Sequence, residues 1–229
     1  MQAKAASISS KAEEYLEAIY RLERKRGFAK TVELSRNLNV VPGSVTNTIE
    51  GLERRGLVTH EPYRGVKLTE KGRKLALDVL RRHRLAERLL TDVLHLDWSE
   101  VHEPACRLEH AITADIVKPL EKILGHPKTC PHGNPIPTAC GGILEEKSEP
   151  LVNLDPGESG IIAKITDGKA DVLQRLAALG IAPGVRVEIE EKSSFRGRIT
   201  IRVGEESSAL EYKVVSKIHV KRTGRRMRG

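Results

Sequence analysis

The chain has 229 residues, enough for two domains with separate cores, and its 31% charged and 39% hydrophobic residues fit a soluble globular protein. Aromatic residues are only 3%, so the cores must be built from Leu, Ile, Val and Ala, and a single-strand binder that stacks bases on aromatic rings is disfavoured. The net charge of +8 is uneven: residues 1–73 carry 14 Lys/Arg against 9 Asp/Glu, 74–140 carry 9 of each, 141–216 carry 10 against 13, and 217–229 carry 6 bases and no acid.

In chain order, residues 9–26 read as an amphipathic helix with Ser9 or Ser10 as cap and Tyr15, Ile19 and Leu22 on one face. Residues 30–40 give a short second helix, VPG at 41–43 a turn, and Ser44 onward a third helix stopped by Gly56. Two short strands follow around a turn at Pro62–Gly65. A long helix runs from Thr69 to about His95, and one or two more lie between Trp98 and Leu124, with Pro104 in a first turn where proline is tolerated. Residues 125–150, rich in Pro and Gly, read as loop. From Leu151 the texture changes to strands (GIIAKI, VRVEIEE, RITIRV, KIHVKR) around one helix, ADVLQRLAALG.

The basic surplus at the two ends points to a polyanionic partner. Helix, tight turn, helix and two-stranded wing form the winged helix-turn-helix pattern, in which the second helix of the motif offers its N-terminal residues to the major groove. Here those residues are Pro42, Gly43, Ser44, Thr46 and Asn47. Asn47 suits an adenine edge, Ser44 and Thr46 suit phosphates, and Lys30 and Arg64 at the wing add sequence-independent charge. An ordinary three-helix bundle with a hairpin is the bland alternative.

The middle of the chain carries metal-ligand residues at helical spacing. His83 and Glu87 are four apart, while His102, Cys106, Glu109 and His110 recur on one face, as do Glu14 and Glu17 in the first helix. Cys130 and His132 flank a proline in the loop. Taken singly, each has a bland reading as a solvated acid, a buried thiol or a surface imidazole. The three cysteines, Cys106, Cys130 and Cys140, are an odd, low count that argues against a disulfide framework. None are paired two to four residues apart, as structural zinc prefers. Mixed carboxylate, imidazole and thiolate ligation suits Mn(II) or Fe(II), with Zn(II), Co(II) or Ni(II) able to bind in vitro. No apolar leader or 18-residue apolar run is visible, so a cytoplasmic protein without membrane partners is expected.

As a set, EEYLEAIYRLE, VPGSVTNTIEGLERRGLV, PYRGVKLTEKG, RRHRLAERLLTDVLHLDW, VHEPACRLEHAI and CPHGNPIP make the chain resemble the diphtheria-toxin-repressor and manganese-transport-regulator family. The segment from LDPGESGIIAKI to LAALGIAPGVRVEI is similar to a ferrous-transport accessory-type, SH3-like domain. The resemblance covers about residues 10–223. It implies a mainly α N-terminal half followed by a small SH3-like β-barrel. The winged helix-turn-helix would occupy 1–73, a helical dimerisation and metal-binding domain 74–140, a linker 141–150, the SH3-like domain 151–223 and a basic tail 224–229.

The same resemblance implies a non-enzymatic repressor that binds a palindromic operator on double-stranded DNA as a homodimer. It also implies two metal positions per chain. One would use Glu14, His83, Cys106, Glu109 and His110, with Glu17 adjacent. The other would use Glu87, Cys130, His132 and Asp167, with His102 matching a ligand of this second position in iron-type members. Iron-type members carry Met where this chain has Glu14, and manganese-type members carry Glu where it has Cys106. The sequence therefore mixes the two patterns and leaves Mn(II) and Fe(II) both open. Competing readings are a regulator not controlled by metal, a metallohydrolase and an interaction adaptor built on the SH3-like domain.

Overall fold

Ser9 starts the first helix, its hydroxyl accepting a hydrogen bond from the Ala12 amide at 3.3 Å. This helix, α1 (Ser10–Arg26), places Arg24, Lys25 and Arg26 in its last turn, where the unpaired carbonyls favour cations. It ends on Gly27, whose φ of 81° lies in the left-handed region. The second, α2 (Thr31–Leu38), closes on Asn39, one of the few residue types that tolerates a left-handed φ. The third, α3 (Pro42–Arg54), begins two residues before the expected Ser44. Pro42 and Gly43 are therefore the first turn of α3 and not a separate turn, because proline's fixed φ suits the first helical position and its missing N–H has no partner to lose there.

The wing consists of β1 (Val58–Glu61) and β2 (Gly65–Leu68), paired antiparallel with Val58 opposite Leu68. Glu23 of α1 ties this hairpin to the bundle: it accepts the Leu68 amide at 3.0 Å and pairs with Arg73. Leu16, Ile19, Leu34, Val45, Leu57 and Val66 are almost wholly buried.

The long helix α4 (Glu70–Arg88) gives way to a π-helical turn at Leu89–Val93, so the α-helix stops short of the expected His95. The Thr91 hydroxyl donates to the Glu87 carbonyl at 2.7 Å within that turn. The Trp98–Leu124 segment forms two helices, α5 (His102–Leu108), with Pro104 in its first turn, and α6 (Ala114–Ile123). Leu85, Ala86, Leu90, Val101, Ala105, Ile112, Leu120 and Ile136 make one apolar cluster.

The structure, a computed structural model, describes residues 8–61, 63–166, 169–193 and 197–225. The chain divides into two compact units, Met1–Arg82 with Pro137–Gly142 and His83–Ile136 with Ile143–Gly229.

In the second unit the sheet-rich region contains β3 (Glu149–Pro150), β4 (Glu158–Ile165), α7 (Ala170–Ala178), β5 (Arg186–Ser193), β6 (Arg198–Val203), β7 (Glu206–Glu211), α8 (Tyr212–Val215) and β8 (Ile218–Arg225). The strands form one antiparallel six-stranded sheet in the order β3-β8-β4-β5-β6-β7. Among the described residues β3 and β7 are its ends and do not pair with each other, so the barrel is not closed. Register shifts at Ser159/Gly160 and Ile162/Lys164 interrupt the β4–β8 ladder, as bulges do where a sheet bends. Leu151, Ile162, Ile165, Leu173, Leu176, Val187, Ile189 and Leu210 fill the core beneath.

The loop before this sheet is more ordered than its Pro/Gly content suggests. Thr129 and Pro135 form an isolated bridge, the Ile165 amide donates to the His132 carbonyl at 2.9 Å, and the Asn134 side chain donates to the Ile165 carbonyl at 2.8 Å. Gly133, with φ of 79°, lies against β4 so closely that a Cβ would overlap the Ala163 carbonyl. Gly133→Ala is expected to destabilise the protein by about 1–3 kcal/mol through backbone strain and that overlap. Chemical denaturation followed by circular dichroism checks it; an unchanged midpoint would contradict the close packing.

Candidate functional site

The helical spacing of α4 puts His83 and Glu87 one turn apart, and both are buried. From them runs a continuous polar chain. His83 Nδ1 lies 2.6 Å from Glu109 Oε2, and His83 Nε2 lies 3.1 Å from both Glu87 Oε1 and His102 Nδ1. Glu87 Oε1 is 3.2 Å from His132 Nδ1 and 3.4 Å from His102 Nδ1. Cys106 Sγ is 3.9 Å from each of His83 and His102, and Cys130 Sγ is 3.7 Å from His132 Nδ1. At the other end His110 Nε2 is 3.5 Å from Glu109 Oε1. Arg84 donates to the Pro135 carbonyl, and Trp98 meets the His132 ring edge-on with centroids 5.8 Å apart, so loop and ring are held from two sides.

Two groups have ligand atoms within 4.8 Å of one another: His83, His102 and Cys106, and Glu87, Cys130 and His132. His132 Nε2 is buried with no hydrogen-bond partner among the described residues, an unspent donor atom of the kind a metal takes. Buried imidazoles, carboxylates and thiols together are a fitting donor set for a divalent transition ion.

The electrostatics follow from burial and mutual charge. Burial opposes charging of Glu87, but the charge on His83 and hydrogen bonds from His102, His132 and His83 hold its carboxyl well below the usual range. Burial likewise opposes protonation of His83, yet Glu87, Cys106 and Glu109 outweigh it and push the imidazole well above its ordinary value. Desolvation is also overcome at His102, by Cys106 and Glu87, and at His132, by Cys130 and Glu87; each is raised to about 9. The Cys106 thiol is lowered despite burial, by His102 and His83. Without a metal the cluster balances its buried charges by holding protons.

The structure thus brings together eight of the expected ligand residues, His83, Glu87, His102, Cys106, Glu109, His110, Cys130 and His132. His83 touches Glu87 as well as Glu109 and Cys106, so it stands between the two sets that the family resemblance separates, and His102 groups with His83 and Cys106. Glu14 is on the exposed face of α1, and Glu17 pairs with Arg21 at 2.6 Å. Asp167 lies outside the described residues. Sequence reasoning passed over Arg84 and Trp98, whose roles arise only once the loop packs against α4.

On the first unit, Pro42, Gly43, Thr46 and Asn47 are exposed on the first turns of α3, with Ser44 half-buried. The Thr46 hydroxyl donates to the Pro42 carbonyl at 3.3 Å, and Lys11 donates to Ser44 Oγ at 3.4 Å. Lys30 is exposed at the start of α2, and Arg64 at the wing tip is 3.8 Å from Glu61. These side chains leave a polar, cation-flanked helix start open to a partner.

Three family descriptions match the chain in succession: "Iron dependent repressor, N-terminal DNA binding domain" over residues 7–66, "Iron dependent repressor, metal binding and dimerisation domain" over 69–138, and "FeoA domain" over 149–222. The iron-dependent repressor IdeR of Mycobacterium tuberculosis is 36% identical over 227 residues, covering 92% of this chain and 96% of that one. The diphtheria toxin repressor of Corynebacterium efficiens is 34% identical over 199 residues, covering 82% and 85%. Among solved structures, a manganese-dependent transcriptional repressor in complex with manganese superposes with a TM-score of 0.84 at 31% identity, covering 91% of this chain and 98% of that one. The T. acidophilum IdeR structure gives 0.78 at 30% identity, covering 94% and 99%.

His102 and His132, raised from 6.5 to about 9, give the metal-free fold stability that is complete below pH 6.5 and lost as pH rises through about 9. A divalent ion needs the same nitrogens unprotonated, so its affinity rises over that window. Differential scanning fluorimetry should show the metal-free melting temperature falling from pH 6.5 to 9 while the gain on adding Mn(II) grows. A gain independent of pH would contradict protonated imidazoles in the cluster.

Proposed function

The chain belongs to the iron-dependent repressor family, and on that premise we propose that it is a metal-controlled, DNA-binding transcriptional repressor of metal-ion homeostasis. The observation that carries this reading is the buried chain of imidazoles, carboxylates and thiols inside the stretch matched by the metal-binding and dimerisation description. His83, His102 and Cys106, with Glu109 and His110 beside them, would hold one ion, and Glu87, Cys130 and His132 a second. Asp167 enters the ligand set through the family resemblance alone, and Glu14 and Glu17 through that resemblance and their spacing on the first helix. His83, His102 and His132 would give up their protons to such an ion, which would supply the positive charge in their place. The mixed imidazole, carboxylate and thiolate donor set suits Mn(II) or Fe(II).

The winged helix-turn-helix at 1–73 would read double-stranded DNA with the start of α3. Asn47 addresses a base edge, Ser44 and Thr46 address phosphates, and Lys30 and Arg64 add charge. The helical domain at 74–140 would form the homodimer, so that two recognition helices meet a palindromic operator at a spacing of about 34–36 Å. Exposed Val93, Leu94, Leu96, Ile116 and Ile123, all in the second unit, supply apolar surface for that contact. A linker at 141–150 and the SH3-like domain at 151–223 follow, and the basic tail at 224–229 adds salt-dependent affinity for DNA. Metal acts by linkage: it favours the DNA-binding arrangement only by its differential affinity for that arrangement. The protein acts by binding and not by turnover, in the cytoplasm where its operator lies. No helix among the described residues is long and apolar enough to cross a membrane.

Three outcomes test the proposal. Operator affinity, measured by fluorescence anisotropy under anaerobic conditions, should rise at least about tenfold, or ~1.4 kcal/mol, on adding Mn(II) or Fe(II); equal binding with and without metal would favour a regulator not controlled by metal. Cys130→Ser, which preserves shape, should raise the metal concentration needed for DNA binding about tenfold while leaving the melting temperature of the metal-free protein near its original value. Asn47→Ala should cost about 1–3 kcal/mol of operator affinity with metal binding intact. A variant that bound the operator as tightly as the parent would remove Asn47 from the interface.

A further inference from the structure

A cavity of about 530 Å³ lies within the second unit, between the end of α4, the 128–135 loop, β4 and the start of β8. Four cationic side chains line it: Arg88, Lys128, Lys164 and Lys221. One carboxylate, Glu146, shares the wall and pairs with Lys221. The rest of the lining is largely apolar, including Leu144, Ile161, Ile162 and Pro183.

Three of the four cations have hydrogen-bonding capacity that the protein leaves unused. Arg88 spends one terminal nitrogen on Asp92 at 3.3 Å, but its Nε is buried with no hydrogen-bond partner among the described residues. Lys128 is exposed and within ion-pairing distance of no carboxylate among the described residues, although its charge reaches Glu146. Lys164 is 14% exposed, and its nearest carboxylate, on Glu145, is 3.8 Å away, beyond hydrogen-bond reach. Arg88 and Lys164 have each lost part of their hydration for a single long contact to a carboxylate, and exposed Lys128 adds a third charge, so an anion in the cavity would restore contacts that the protein supplies only in part. The volume exceeds what a bare inorganic ion fills and falls in the range of organic-ligand sites. The apolar wall gives such a ligand's carbon skeleton a surface to bury against.

We propose that this cavity binds a small organic polyanion, bearing phosphate or several carboxylates, with Arg88, Lys128 and Lys164 as its anchors. Glu146 opposes the ligand's charge and competes with it for Lys221, so a singly charged anion gains less here than a polyanion. Cys130, a ligand-type residue of the metal cluster, also lines the cavity, but none of the three anchors is a ligand residue, so the proposal does not rest on metal control of DNA binding.

Isothermal titration calorimetry of the full chain, metal-free and again with Mn(II), tests it with two probes, phosphoenolpyruvate and tricarballylate, and with glycerol as uncharged control. The expected result is saturable binding of at least one probe and none of glycerol; the preferred probe tells phosphate from carboxylate recognition. Lys128→Glu should weaken that binding at least about tenfold. Glu146→Gln should strengthen it. Opposite signs from two substitutions in one wall are not produced by a general loss of folding. Absence of saturable binding of both probes at millimolar concentration, or equal affinity in the parent and in Lys128→Glu, would overturn the proposal.

Discussion

Two carboxylates, Glu87 and Glu109, are 3% and 2% exposed, and neither can stay ionised in that setting without a neighbouring positive charge. His83 lies between them and touches both. Around this trio the second unit arranges α4, α5 and the 128–135 loop, each contributing at least one titratable ligand-type group. The apolar cluster of Leu85, Ala105 and Ile136 gives these elements their packing, and the polar chain sets their relative register. Truncating His83 would take from Glu87 and Glu109 the one imidazole they share, which is why a substitution such as Cys130→Ser reads metal affinity more cleanly than one at the centre of the cluster.

The same constraint explains why protons and metal compete. The donors make a site of high negative charge once their protons leave, and burial makes that charge intolerable unless something replaces it. A divalent ion replaces two protons with one particle and requires the donors to converge, whereas protons do not. The free energy of convergence is the quantity through which metal concentration can act on the protein's conformational balance.

Much of this was legible in the sequence because helices preserve spacing. The four-residue separations His83–Glu87 and His102–Cys106 became shared faces, and Ser9 and Gly56 marked helix limits. The partition of ligands was less legible, because it depends on how α4 and α5 rotate against each other: His102 joins His83 and Cys106, and His83 reaches Glu87 as well as Glu109. In the sheet, β7 was missed because ESSALE buries only Leu210 and shows little apolar alternation. The two-residue β3 and one-turn α8 are too short for any periodicity to register. The loop carrying Cys130 and His132 looked irregular since its order comes from contacts with β4, which local composition does not encode.

The chain contains a single tryptophan, and it sits edge-on to His132. An indole in contact with an imidazole emits less when the ring is protonated than when it is neutral, and a paramagnetic ion nearby quenches it by a different route. Intrinsic emission of the unlabelled protein is therefore an optical readout confined to one ring of the cluster. It reports most directly on the Glu87–Cys130–His132 group, with no chromophore added.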